Sequence, residues 1–214
     1  MLAERMHREQ VISLAAKIQA LSNLPTTYRT GPAYTHMGAL LADAVLQAGL
    51  NYRTVVWPRV NRILALWSEA TSTSDLLRLI HSCGASHILQ WTHQEKLNRF
   101  VLLGEFVRNN AIETVPEFAS WLGDESNVFE ILTVRGVGPK TVDYLKNLTG
   151  MPVVAVDRHI RAFVESVGIT CGSYAQVRLL VEDAAAFLRL SPSLVDHAIW
   201  LHRSTPQLRT KQNE

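Results

Sequence analysis

The sequence predicts an all-α fold, and three observations predict it. Apolar residues recur at helical spacing along nearly the whole chain. Glycine, proline and short polar clusters interrupt that period often enough to make the helices short. The β-branched run at residues 153–156 is brief and solitary, too little to build a sheet.

Residues 3–21 place Val11, Leu14, Ala15, Ile18 and Leu21 on one face, so a first helix is expected there. Pro25 and the TTYRTGP stretch break it. A second helix is expected over 34–48, with Met37, Leu40, Leu41, Ala44, Val45 and Ala48 inward, then a link over 51–54. A third runs to residue 67, with Pro58 tolerated in its first turn. TSTSD offers Ser or Thr caps for a fourth helix ending at Gly84, and residues 86–91 give another turn or two. Thr92 with Glu95 fits a capping box for a long helix through Val107, stopped by Asn109 and Asn110. Pro116 opens a short helix closed by Gly123, and Asp124 or Ser126 caps the next.

That helix leads into LTVRGVGPK, where a Gly-Val-Gly turn joins it to a helix over 140–148. Gly150 and Pro152 end the latter, and Asp157 caps a helix closed by Gly168. Helices over 174–188 and from Ser191 to Arg203 complete about ten or eleven, before a polar tail expected to fray.

Composition sets bounds on function. The chain has 214 residues, long enough for one large domain or two small ones. No apolar run reaches the ~18–20 residues of a membrane span, and the charged start MLAERMHREQ is unlike a secretion signal. A soluble intracellular protein is expected. A net charge of +2 permits a polyanionic partner without demanding one. Cys83 and Cys171 are far apart and fit neither a disulfide framework nor a cysteine metal site. His197 and His202, five residues apart, fall on different helix faces, so no metal site of protein side chains is expected.

The functional signal is concentrated around the turn. Its glycines permit positive φ and leave backbone N–H groups pointing outward, which suits a phosphate or a plain tight turn equally. Lys140 sits in the first turn of the following helix, where the macrodipole disfavours a cation. It reads as an amine nucleophile or as a surface lysine that bonds a phosphate. Asp157 reads as an N-cap or as a carboxylate that stabilises a developing sugar cation. Arg135 in the turn is a phosphate contact by this logic, and Arg158 and His159 face DNA or solvent.

The segment ILTVRGVGPKTVDYLKNLTGMPVVAVDRHIRAF, residues 131–163, resembles the helix-hairpin-helix plus Gly/Pro-Asp signature of the endonuclease III-like DNA glycosylase superfamily. The likeness is sharp over 125–170, weaker over MGALLADAVLQAGLNYRTV and VDHAIWLHRS. It implies a two-lobed helical fold with the active site in the cleft. Residues 28–148 would form a helical barrel ending in the hairpin, and 1–27 plus 149–214 the second lobe. Lys140 would be the nucleophile and Asp157 its partner. Arg135, Gly136, Val137, Gly138, Thr141, Arg158 and His159 would contact DNA. Gln47 or Gly49, or else Trp91, would fill the gap left by a flipped base. No cysteine follows Cys171, so the resemblance implies a member without the iron–sulfur cluster; a monovalent cation at the hairpin is compatible with it.

The implied function is a monomeric repair glycosylase with AP-lyase activity on double-stranded DNA. The alternative is a non-catalytic protein that recognises damaged or bent DNA through the hairpin.

Overall fold

The computed structural model describes residues 2–21, 24 and 29–204, and over these it is all-helical with no strand. The helices are α1 (Leu2–Gln19), α2 (Met37–Leu46), α3 (Trp57–Leu66), α4 (Thr73–Cys83), α5 (Ala85–Leu89) and α6 (Gln94–Asn109). Then follow α7 (Val115–Gly123), α8 (Glu125–Ile131), α9 (Pro139–Leu148), α10 (Arg158–Glu165), α11 (Tyr174–Phe187) and α12 (Pro192–Ser204). The polar tail beyond Ser204 lies outside the described residues. No described helix is long and apolar enough to cross a membrane. The chain divides into two compact units, Arg29–Met151 and a second made of Met1–Tyr28 with Pro152–Glu214.

The Arg29–Met151 unit is built around α2. All ten residues of MGALLADAVL are buried, as expected of a helix apolar nearly all round. Helices α3, α4, α6 and α9 surround it. Its N-terminus is capped by His36, whose Nδ1 accepts from Ala39 N–H at 3.2 Å while Nε2 donates to the Trp67 carbonyl at 3.0 Å. One acceptor and one donor nitrogen describe the neutral imidazole. Where a plain link was expected after α2, residues Tyr52–Val56 form a π-helical turn, with Asn51 Oδ1 accepting from Thr54 N–H.

Two expected caps are present: Ser72 forms a reciprocal box with Asp75 on α4, and Asp124 caps α8. A further box, Thr114 with Glu117 on α7, was not expected. The Thr92–Glu95 box is not formed. Helix α6 starts at Gln94 behind His93, which makes no side-chain cap bond, and Glu95 accepts from Arg135 at 3.1 Å instead. With His93 as the N-cap residue, Thr92 lies outside the cap position and Glu95 is left to an exposed long-range pair.

In the second unit α1 packs on α11 and α10 on α12. The stripe Val11, Leu14, Ala15 and Ile18 is buried against Phe163, Val181, Ala184 and Ile199. The β-branched segment before Asp157 has no regular secondary structure and pairs with no strand among the described residues. Its backbone N–H groups are satisfied by side chains: Val154 by Glu182, Ala155 by Asp196 at 2.8 Å, and Val156 by the Tyr174 hydroxyl at 3.2 Å. Sheet formation is thus replaced by side-chain acceptors on α11 and α12, a complete accounting of three buried donors.

Candidate functional site

Helix α8, the turn at 132–138 and α9 form a hairpin. Val134 and Val137 are buried and peg the turn to the core, and Val137 N–H is spent on the Val134 carbonyl at 2.9 Å. Gly136 adopts φ +83° and faces the Arg99 guanidinium so closely that a Cβ would collide with it. The left-handed φ is what requires glycine at 136, since the Arg99 guanidinium is the far end of a flexible side chain and can move aside. Gly138 is extended (φ −116°, ψ 177°) and serves as the cap residue of α9. So the two turn glycines differ, and only Gly136 needs the left-handed region. Among the described residues the N–H groups of Gly136 and Gly138 have no acceptor. That leaves donors on an exposed turn, the backbone arrangement that favours an anion.

The predicted contacts sort by exposure. Arg135 and Gly136 are exposed, whereas Val137 and Thr141 are buried, with Thr141 N–H bonded to the Gly138 carbonyl at 2.9 Å. Any contact at 137 or 141 is therefore a backbone or positioning matter.

Lys140 follows the turn, one residue inside α9, and is half-buried. Its Nζ donates to Gln47 Oε1 at 2.6 Å and lies over the Tyr144 ring, 6.0 Å from the centroid. Gln47 is the C-cap residue of α2. Its amide is turned inward, with Nε2 buried and unpaired, whereas a wedge would need a side chain directed at solvent. Trp91 is half-buried too. It packs on the core beneath the Arg59 guanidinium, with its indole N–H enclosed and unbonded.

A second layer lies one helical turn away. Asp43 and Gln47 are four apart on α2, and Tyr144 and Lys140 are four apart on α9, so each pair shares a face. The helices run antiparallel here, which sets Gln47 on Lys140 and Asp43 on Tyr144. Asp43 is fully buried. Its Oδ2 accepts from Tyr34 at 2.6 Å and from Tyr52 at 3.0 Å, and its Oδ1 accepts from Tyr144 at 2.9 Å. Burial raises the Asp43 pKa above the ordinary carboxylate value, partly offset by the three hydroxyls and the Arg29 charge. Burial also raises the phenols, Tyr52 to about 12.

Lys96 on α6 borders the same place. Its Nζ donates to the carbonyls of Val45 (2.9 Å), Leu46 (3.4 Å) and Ala48 (2.9 Å), which flank Gln47. Desolvation, with Arg99 and Lys140 as like charges, lowers its pKa to about 8.

Asp43, the tyrosines, Lys96 and Arg99 were not singled out by the sequence. The available signals were a lone carboxylate in an otherwise apolar helix and the matched four-residue spacings on α2 and α9.

Asp157, Arg158 and His159 belong to the other unit. Asp157 is the N-cap of α10, with Oδ1 accepting from His159 N–H at 2.7 Å and Ile160 N–H at 3.0 Å. Among the described residues Oδ2 accepts nothing, so capping occupies one oxygen and leaves the other. Arg158 is exposed and His159 half-buried.

Residues 106–204 match the model of a family described as a domain of unknown function, DUF8548. That stretch runs from late α6 to the end of α12 and takes in the hairpin, Lys140 and Asp157. No curated protein matches the chain. Among solved structures, the chain is similar to the crystal structure of the 8-oxoguanine DNA glycosylase of Thermotoga maritima. The TM-score is 0.49 and the identity 13%, over 94% of this chain and 89% of that one.

Proposed function

We propose that this protein is a base-excision DNA glycosylase with associated AP-lyase activity, a helix-hairpin-helix member that works without an iron–sulfur cluster. The observation that carries the reading is Lys140: a half-buried amine, held by Gln47 at 2.6 Å, two residues beyond a turn with open backbone donors. The signature over residues 131–163 supports it independently.

In this reading the hairpin N–H groups and Arg135 hold a phosphate of duplex DNA, fixing position without reading sequence. The target nucleotide leaves the stack, because the glycosidic carbon is otherwise out of reach. The lone pair of the uncharged Lys140 amine attacks C1′. The C1′–N bond breaks, and the base departs with its electron pair and takes up a proton. Loss of the amine proton and opening of the sugar ring give a Schiff base between Nζ and C1′. Removal of a C2′ proton then expels the 3′ phosphate by β-elimination, and water hydrolyses the imine to restore the amine. Asp157 stabilises the cationic sugar with the oxygen that capping leaves over.

Borohydride reduction on a duplex carrying one abasic site tests this. We expect a covalent adduct that maps to Lys140 and disappears in Lys140→Ala. No adduct from the wild type, or equal trapping by Lys140→Ala, overturns the lyase assignment. DNA binding that persists in Lys140→Ala and Asp157→Asn, with no base released from any single-lesion duplex, would instead establish a non-catalytic damage-recognition protein.

A further inference from the structure

Lys96 satisfies three carbonyls at the C-terminus of α2, from a different helix, α6. A lone helix end needs no such clamp, since water satisfies exposed carbonyls. The clamped residues are 45, 46 and 48, and the residue between them is Gln47, whose amide oxygen takes the Lys140 amine. Gln47 Oε1 must point at Lys140, because the amide nitrogen would meet another donor there. The order of contacts is thus Lys96, the α2 terminus, Gln47, Lys140.

We propose that Lys96 is a positioning residue for Lys140: it fixes the end of α2 so that Gln47 orients the Lys140 amine, and its charge favours the uncharged form of that amine. The proposal rests on the reading of Lys140 as the attacking amine. Orientation matters because an amine that donates one N–H to Gln47 keeps its lone pair directed elsewhere. The electrostatic part follows from reciprocity. The Lys140 charge is one of the causes that lower the Lys96 pKa, and coupling between two sites acts equally in both directions. Charged and titratable groups on the elements packed around Lys140 include Asp43 on α2, Glu95, Lys96 and Arg99 on α6, Arg135 in the turn, and Asp143, Tyr144 and Lys146 on α9. Two of these, Asp43 and Tyr144, bond each other, and Arg135 is paired with Glu95. Lys96 is the one that bonds the backbone on both sides of Gln47.

The experiment is single-turnover borohydride trapping on abasic duplex from pH 6 to pH 9, comparing wild type, Lys96→Met and Lys96→Arg. Removing a neighbouring like charge should move the midpoint of Lys96→Met upward by about one pH unit, an about tenfold loss at neutral pH. Lys96→Arg keeps the charge through the whole range, including above pH 8 where Lys96 itself loses it, and should leave the midpoint at or below that of the wild type. Should Lys96→Met fail to fold, the pH dependence of acetic anhydride labelling at Lys140, read by mass spectrometry, is compared between wild type and Lys96→Gln. An unchanged profile in the neutral variant, an equal shift in Lys96→Arg, or a wild-type adduct that maps to Lys96 overturns the proposal. No wild-type adduct at any pH is a different result: it removes the lyase reading itself, and the labelling comparison then decides the coupling alone.

Discussion

Asp43 and Asp157 are both carboxylates held by hydrogen-bond donors, yet their donors come from opposite kinds of source. Asp157 takes the N–H groups of the second and third residues after it, so its bonds form as soon as α10 does. Asp43 takes three tyrosine hydroxyls from positions 34, 52 and 144, which meet only when α2, the π-helical turn and α9 have packed. The difference teaches where cost and benefit lie. A local cap is nearly self-sufficient, whereas a buried carboxylate depends on every distant partner being in place.

The largest effect should come from breaking the distant arrangement. Asp43→Ala leaves the hydroxyls of Tyr34, Tyr52 and Tyr144 without their acceptor inside the Arg29–Met151 unit. Each buried hydroxyl left without its acceptor costs about 1–3 kcal/mol, so the three together cost about 3–5 kcal/mol or more. That is a large share of the ~5–15 kcal/mol that holds a domain together. Four of the five tryptophans, at 57, 67, 91 and 121, lie in this unit, so urea unfolding followed by fluorescence reports on it. A midpoint within error of wild type would show that Asp43 is not structurally committed.

This contrast also describes what the sequence could convey. Caps at Ser72, Asp124 and Asp157 were legible because their partners lie within three residues; the Thr114 cap was as local but was overlooked beside Pro116. The buried stripe of α1 was legible because helical period alone selects Val11, Leu14, Ala15 and Ile18. At the candidate site the turn and Lys140 were legible as a local pattern. Gln47 was noticed for a different role, and its approach to Lys140 spans 93 positions. Nothing local announces that Lys96 meets the end of α2, or that Glu95 serves Arg135 rather than a cap.

A smaller effect concerns acid and base. The Asp43 carboxyl is held above the ordinary carboxyl value of 3.8 by burial, so the folded state keeps its proton to higher pH than the unfolded chain does. The stabilising contribution is then complete below about pH 3.8 and is lost as pH rises through the folded value. Asp43→Asn keeps the shape and one of the two acceptor oxygens, and it does not titrate. The wild type should therefore lose stability relative to Asp43→Asn as pH rises from about 4, in paired urea titrations. A flat difference, or one of opposite sign, would mean that the three hydroxyls outweigh desolvation and the carboxylate is the favoured folded form.

The smallest stability effect belongs to Asp157, and it separates capping from chemistry. Asp157→Ala removes a cap that bonds two backbone donors and should cost about 1 kcal/mol in the second unit, where Trp200 is the fluorescent reporter. Asparagine is as good an N-cap as aspartate, so Asp157→Asn should leave the melting profile near wild type. What asparagine lacks is the negative charge on the oxygen not used for capping. If that charge stabilises a cationic sugar, Asp157→Asn lowers the rate of base release by about 100-fold or more while the fold is intact. If both variants lose stability equally and activity follows stability, Asp157 is a cap and nothing further. A stable Asp157→Asn with full activity would likewise confine it to the local role, and the two aspartates would then differ in the range of their partners but not in kind.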